Sequence, residues 1–421
     1  MYPRCGCRSS LTGQQVWKCP RRGEPGHGSW YYAIQVTGLD GRRNRARKGG
    51  FASRSEAERA AWELLELPGP EAVARMWTVG RWLEFWLSEQ ENRLRPNTVI
   101  NYRSIVRKHL VPALGAHRLN KLNTRDVQRA IDVIARKKVR GDRLIAASSV
   151  HRARAVLRSA LSEARRQGMV GYNAARAVRV PSGVRPHAVV WTEERIKEFE
   201  EFGIRPRVAV WDLPDVGRFL QAVKDDPLFP LWWLVALRGP RRGEIAGLRW
   251  EDVDLVAGCF SIREQVTVVN GKEVIGPPKS AAGVRTLALD DYSVQLLEAL
   301  REWQRRNFGQ VGAKDRVFRR ADGRPVRAEW LTRRFKELAE EAGLPPVRLH
   351  DLRHCAAGAA GAAGVDLMTI QRDLGHASPV TTAETYWVVF LEVARRSVQA
   401  TAALLLKHAK VRMSLEAASQ A

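Results

Sequence analysis

The chain has 421 residues, with 70 Lys plus Arg against 45 Asp plus Glu, a net charge of +25 and a pI near 10.6. That length suits two or three domains, and the excess of positive charge points to a polyanionic partner, nucleic acid first. No apolar run approaches the roughly 18–20 residues of a membrane span, the N-terminus lacks the apolar core of a secretory signal, and an odd cysteine count argues against a disulfide framework. The sequence therefore predicts a soluble, cytoplasmic protein with no membrane partner.

Three cysteines crowd the start, Cys5, Cys7 and Cys19, followed by His27. In a reducing compartment such a set is a candidate structural zinc site, with free thiols as the alternative, because Cys5 and Cys7 stand closer than the usual C-x2-4-C pair. Trp30 to Val36, the turn Gly38-Leu39-Asp40-Gly41 and the basic stretch from Arg42 to Lys48 predict a β-hairpin. Ser53 and Glu56 then form a capping box that opens a helix through Leu65, and Gly69-Pro70 breaks the chain. The second strand carries Arg42, Arg43, Arg45, Arg47 and Lys48, a basic ribbon of a width that fits a DNA major groove; the alternative is a solvated edge strand.

From Trp77 to Val180 the pattern is purely helical. Helix starts are expected at Thr78, at Arg95-Pro96-Asn97-Thr98, at Thr124 and at Ser148 or Ser149, the last helix ending at Gly168. Four helices make one bundle, and residues 77–180 hold 22 Lys plus Arg against 7 Asp plus Glu, a net +15. Like charges at that density repel, so phosphates are the natural counter-charge. Residues 181–207, rich in Pro and Gly around a short polar helix from Glu193 to Phe202, read as a linker. Val190-Trp191-Thr192 and Val210-Trp211-Asp212 share a capping logic and are too few for a repeat.

A last domain is expected over 208–400, with a tail over 401–421. Pro240 suits a first helical position, which puts Arg241 in the first turn of a helix, with Glu244 one turn later. A strand from Phe260 to Val269, the turn Asn270-Gly271 and the stretch from Glu273 onward predict a hairpin. Near the C-terminus, His350 and Arg353 stand three apart at the start of a helix and project from one face. A helix from Leu367 to Leu374 runs into Gly375-His376, and Tyr386 follows with a candidate nucleophilic hydroxyl. Beyond it Leu391, Ala394, Val398, Ala402 and Leu405 recur at three- and four-residue steps, the apolar stripe of one more helix.

The order H-x-x-R at 350–353, L-G-H at 374–376 and a tyrosine ten residues on resembles the signature of the tyrosine recombinase family, the phage-type integrases. Upstream, Arg241 matches the family's first arginine and Glu244 its bracing acid, although Arg238-Gly239-Pro240 stands where the family has T-G-L. Pro277-Pro278-Lys279-Ser280 through Val284-Arg285-Thr286-Leu287 resembles the family's P-K-T-x-x-x-x-R-x-x-x-L, which places Lys279 on a β-hairpin loop, and Arg95, Thr98, Tyr102 and Arg103 match the R-P-x-T-x-x-x-Y-R opening of its core-binding domain.

The resemblance implies a mainly α, multidomain chain. Its parts are a small β-containing arm DNA-binding domain over 1–69, a four-helix, SAM-like core-binding domain over 73–180, and an α-rich catalytic domain with a small antiparallel sheet. It implies recombination of duplex DNA attachment sites through a 3′-phosphotyrosine, by a homotetramer aided by DNA-bending and excision accessory proteins, on a phage or integrative plasmid. In that scheme Arg241 and Arg353 clamp the phosphate, Tyr386 attacks, His350 is the base, Lys279 the acid and His376 a hydrogen-bond donor. No cofactor is required, because two guanidiniums replace a metal at the phosphate. A type IB-like topoisomerase, or a non-catalytic DNA-binding regulator, is the alternative.

Overall fold

The computed structural model describes residues 1–7, 19–21, 24, 26–139, 141–183, 187–376, 378 and 391–409. Two compact units divide after Val184, and each is described by itself.

In the N-terminal unit β1 (Tyr2–Arg4), β2 (Ser29–Thr37) and β3 (Arg43–Phe51) form an antiparallel sheet in the order β1-β2-β3. One face carries Tyr32 and Ala46 against Ala61 and Leu64 of α1 (Arg54–Leu65), a core of few residues. Strand alternation turns Arg43, Arg45 and Arg47 to the face opposite Ala46, where all three are exposed. Arg42 lies in the turn ahead of β3, outside the ribbon that the sequence predicts for it. Ser53 caps α1 by accepting from the Glu56 N–H at 3.2 Å.

Gly69-Pro70 does not break the chain. It starts α2 (Gly69–Met76), because proline is tolerated in a first helical turn, where its missing N–H goes unused. α2 joins two cores: Ala72 packs with the sheet, Val73 and Ala74 with the bundle that follows.

That bundle contains α3 (Val79–Gln90), α4 (Pro96–Ile105), its continuation α5 (Val111–Leu114), α6 (Thr124–Ala135) and α7 (Ala147–Arg166). A π turn at Val106–Leu110 separates α4 from α5. Pro112 has no N–H to give back along the helix, and the Lys108 carbonyl four residues earlier accepts from Lys137 Nζ at 3.0 Å instead. Trp77, Trp82, Trp86 and Leu157 fill the interior. Two caps differ from expectation. Asn123, not Thr124, caps α6 through Oδ1 at 3.0 Å from the Asp126 N–H, and α7 starts after Ala146 with no side-chain cap, leaving Ser148 and Ser149 inside its first turn.

In the second unit the predicted linker is largely part of the fold. β4 (Val189–Val190) pairs in parallel with β5 (Ala209–Val210), Trp191 is buried in the same core as Trp211, and α8 (Glu193–Phe202) packs Ile196 and Phe199 on it. The two Val-Trp dipeptides that share a capping pattern thus stand at the ends of paired strands, followed by α8 under its Thr192 cap and α9 (Leu213–Ala222) under Asp212.

Around this run α10 (Phe229–Arg238), α11 (Arg242–Gly247), α12 (Asp291–Phe308), α13 (Ala328–Glu341), α14 (Leu352–Ala362) and α15 (Leu367–Leu374). Phe219, Trp211, Trp232 and Phe335 form the aromatic centre, with ring centroids 5.3–6.3 Å apart. α14 packs on α10, with Cys355 in the main core, while Ala357 meets Ile370 and Leu374 of α15.

The expected strand from Phe260 to Val269 breaks in two. β7 (Cys259–Ile262) lies between β6 (Val253–Asp254) and β10 (Arg285–Ala288), whereas β8 (Gln265–Val269) pairs only with β9 (Lys272–Gly276). Asn270 and Gly271, at φ +50 and +79, close that hairpin with both central residues left-handed, as a tight type I′ turn needs. A last helix, α16 (Leu391–Ala409), crosses the boundary at 400 that separates domain from tail in the sequence reading.

Candidate active site

Arg241 is placed by two breaks in the chain. α10 ends where Gly239 turns left-handed at φ +58, and Pro240 leads to Arg241, which is the N-cap of α11. The helix thus starts two residues later than the position of Pro240 predicts. Glu244 fixes that start by folding back, its Oε2 accepting from the Arg241 backbone N–H at 2.9 Å while its Oε1 accepts from Arg241 Nη1 at 2.6 Å. A Cβ on Gly239 would stand 3.2 Å from Ala356 Cβ and from Arg353 Cγ, so glycine is what lets α14 come this close.

Glu244 is 0% exposed and is the hub. Arg285, on β10, gives Nη2 to Glu244 Oε2 at 2.9 Å, Nε to the Asp373 carbonyl at 2.6 Å and Nη1 to the Gly283 carbonyl at 2.9 Å. Burial by itself would raise the Glu244 pKa. The hydrogen bond and charge of Arg285, with the charge of Arg241, outweigh it and hold the carboxyl below its usual range.

Removing Arg285 would leave that buried charge half-compensated. Arg285→Ala is expected to cost about 3–5 kcal/mol of stability, read as a lowered urea midpoint of the full chain. Because the Glu244 pKa is depressed on folding, its contribution is present above the unfolded carboxylate pKa and is lost as pH falls through the folded one.

Arg353, near the start of α14, is 4% exposed. Its Nη1 donates to the Gly239 carbonyl at 2.7 Å and its Nη2 to the Leu374 carbonyl, while Arg241 Nη2 reaches the Gly375 carbonyl at 3.1 Å. Burial first, and then the charge of Arg241, pull Arg353 down to about 9. Two guanidiniums thus bond one carboxylate and a third lies beside them on backbone carbonyls, an arrangement short of negative charge.

His376 follows α15, which Asp366 caps and Gly375 ends at φ +63. A Cβ on Gly375 would lie 2.7 Å from the Ala282 carbonyl and 3.0 Å from Arg285 Nη1. Burial, then the charges of Arg353 and Arg241, push His376 down to about 3, so it is a neutral imidazole near pH 7. His350 sits in the turn ahead of α14, one step outside the helix that its spacing predicts, and the Arg353 N–H still reaches its carbonyl at 3.3 Å. Its side chain is exposed, yet the protein around it and the charge of Arg353 lower its pKa as well.

The structure brings Arg241, Glu244 and Arg353 into one hydrogen-bonded network with the turn that carries His376. Lys279 is exposed, lies in the exit from β9 toward β10 and not in the hairpin turn, and is outside that network among the described residues. Tyr386 falls outside the described residues. Two residues had no role in the sequence reading: Arg285, visible there only as the arginine of a motif, and His354, whose ring lies 6.5 Å from that of His350.

In the N-terminal unit Arg95 is exposed and Thr98 is half-buried, Tyr102 stacks on Trp86 at 5.6 Å and Arg103 is paired with Glu91. Tyr102 is therefore a packing residue as well as a DNA-contact candidate. Arg45, Arg47 and Lys48 line a cleft shared with Arg118, Lys121 and Arg165 of the bundle side. The structure also brings together Cys5, Cys7, Cys19 and His27, whose ligand atoms all lie within 4.8 Å of one another.

Three family profiles match in chain order: an arm DNA-binding domain over 16–66, a phage integrase N-terminal SAM-like domain over 78–134 and the phage integrase family over 228–391. The last contains Arg241, Glu244, Arg285, Arg353 and His376. The chain belongs to the phage integrase family.

Among tyrosine recombinases it is 29% identical over 188 residues to the ICEBs1 integrase of Bacillus subtilis, 43% of this chain and 51% of that one. It is 24% identical over 301 residues to a putative prophage phiRv2 integrase of Mycobacterium tuberculosis, 71% of each. The chain spans about half the length of the first curated relatives it matches. Its fold is similar to that of the Tn1549 transposon integrase solved with transposon right end DNA, at TM-score 0.59 and 17% identity over 77% of this chain and 99% of that one. Integrase folds of this kind combine a mainly helical body with small sheets, as here.

Proposed function

We propose that this integrase is a site-specific DNA recombinase that cuts and rejoins duplex DNA at the attachment sites of a mobile element, through a covalent 3′-phosphotyrosine. The observation that carries the reading is the charge deficit around Glu244: among the described residues it is the one carboxylate in the network, both its oxygens accept from arginines, and Arg353 lies buried beside Arg241 with no acid of its own. A phosphodiester placed among these donors supplies the missing negative charge. The ICEBs1 and prophage integrases among the relatives, and the Tn1549 integrase solved on DNA, support the same reading.

In this mechanism Arg241 and Arg353 keep three N–H donors each beyond those already engaged, enough to hold the non-bridging oxygens as charge builds on them. His376, neutral, donates one ring N–H to a phosphoryl oxygen, and His350, neutral, accepts the phenolic proton of Tyr386. The tyrosine oxygen bonds to phosphorus, the bond to O5′ breaks, and Lys279 gives its proton to the leaving oxygen. A second 5′-hydroxyl reverses these steps on a new strand.

The test is covalent trapping on a nicked suicide duplex, followed by denaturation. An adduct is expected, and it is expected to survive EDTA, because Glu244 is buried and bonded to two arginines and, among the described residues, is not grouped with other acids as magnesium would need. No adduct, or one that magnesium alone restores, would overturn the proposal.

The protein acts as a homotetramer on two duplexes, with DNA-bending and excision proteins setting direction. Val398, Leu404, Leu405 and Leu406 of α16 are 67%, 61%, 66% and 52% exposed although the helix touches α14, which leaves an apolar stripe for a neighbouring copy to cover. Leu391 and Ala394 of the same stripe have side chains outside the described residues. A chain truncated after Phe390 is expected to bind one site as a monomer and to fail at two-duplex assembly, read by gel mobility. A lowered melting temperature with poor solubility would instead mean that the tail packs in cis.

A further inference from the structure

We propose that Cys5, Cys7, Cys19 and His27 form a structural zinc site that fastens the first strand to the arm sheet. The site belongs to the N-terminal unit, and its existence does not depend on the recombinase reading.

Local geometry explains how residues so far apart meet. Cys5 and Cys7 follow β1 with only Gly6 between them, and in extended chain residues two apart face the same side. His27 stands just ahead of β2, whose Ser29 pairs with Arg4 of β1, so the pairing of the two strands brings His27 to the exit of β1. Gly28 permits the turn. Its φ is +80, and a Cβ there would lie 2.3 Å from the Arg4 carbonyl oxygen and 3.0 Å from Cys5 Cα.

The donor atoms fit zinc in kind and spacing. Cys7 Sγ and Cys19 Sγ are each 3.3 Å from His27 Nε2, and all four ligand atoms lie within 4.8 Å of one another. Tetrahedral zinc, with Zn–S about 2.3 Å and Zn–N about 2.0 Å, asks for sulfur-sulfur and sulfur-nitrogen separations of roughly 3.5–3.8 Å. A single Nε2 offers one lone pair or one N–H and cannot serve two thiols well, whereas a central cation uses all four donors. None of the described cysteines is in a disulfide. Three thiolates with one imidazole select zinc over the hard, oxygen-seeking cations. On binding, the three thiols release three protons to solvent, the imidazole contributes its lone pair, and the site carries a net charge of −1.

The need for a staple is visible in the packing. The core between the arm sheet and its helices is a cluster of five buried residues, none of them on β1. Tyr2 stacks on Tyr31 with centroids 5.7 Å apart and hydrogen-bonds Arg47, so the position of β1 bears directly on a basic residue of β3. A small module with so few core residues gains folding free energy from a metal directly.

The test uses the full chain purified in reducing buffer without chelator and dialysed against metal-free buffer after exposure to zinc. Atomic emission is expected to find one zinc per chain, lost in Cys7→Ser and in Cys19→Ser and kept in His27→Cys, where a thiolate replaces the imidazole. Cobalt in place of zinc should give intense tetrahedral visible bands with thiolate charge transfer. Chelation of the wild type should open the N-terminal segment to protease while the bundle stays resistant, which separates metal loss from misfolding of a variant. No bound zinc, zinc kept in both serine variants, a weak octahedral cobalt spectrum, or a disulfide among the three thiols would each overturn the proposal. Zinc binding without DNA binding would leave this inference standing and count against the recombinase reading alone.

Discussion

Tyr386→Phe is expected to abolish the covalent protein-DNA adduct while leaving affinity for duplex DNA within about twofold of the parent. The substitution removes one hydroxyl and nothing else, and a phenyl ring has no atom that can bond to phosphorus. The surrounding donors are already in place without it, because Arg241, Arg285 and Arg353 are anchored to Glu244 and to the carbonyls of Gly239, Asp373, Leu374 and Gly375. Affinity and cleavage should therefore separate cleanly in a trapping assay run beside a filter-binding titration. An adduct that persists would move the nucleophile to another of the seven tyrosines.

Arg353→Ala is expected to slow cleavage by about 10²–10³-fold, the loss typical of removing one preorganised donor from a developing oxyanion. Arg353→Lys should recover little of it. A lysine ammonium is a point donor on a flexible stem and cannot hold the Gly239 and Leu374 carbonyls with one planar fork while also facing a phosphate. Single-turnover rates at saturating enzyme isolate the chemical step. If binding and cleavage fell by the same factor, Arg353 would be a docking residue and not a group that acts in the transition state.

How much of this was legible in the sequence depended on the range of the interaction. His350, Arg353, Gly375 and His376 announce themselves because their spacing within one or two helices is itself the signal. Arg241 and Glu244 do so for the same reason, three residues apart at a helix start. The bond from Arg285 to Glu244 crosses 41 residues and that to the Asp373 carbonyl 88 residues, so no periodicity could reveal the role of Arg285.

The segment before residue 208 was misread for a related reason. Its Pro and Gly content looks like a linker, while its fold rests on two-residue strands and on Trp191, too little regular structure to leave a pattern. The break between β7 and β8 was hidden because both halves are apolar and only their partners differ. The N-terminal ligand set was legible as a candidate site with free thiols as the alternative, since Cys5 and Cys7 are too close for a standard finger and the strand pairing that brings in His27 is a tertiary fact.

The account stands or falls on which atom of the protein becomes bonded to DNA. Isolating the adduct from a nicked suicide duplex, digesting the DNA with nuclease and the protein with protease, and sequencing the nucleotide-bearing peptide by mass spectrometry reads that atom directly. A phosphonucleotide on Tyr386, with a free 5′-hydroxyl on the released strand, is the predicted result. A linkage to any other residue, or a nick that carries no protein, would contradict it.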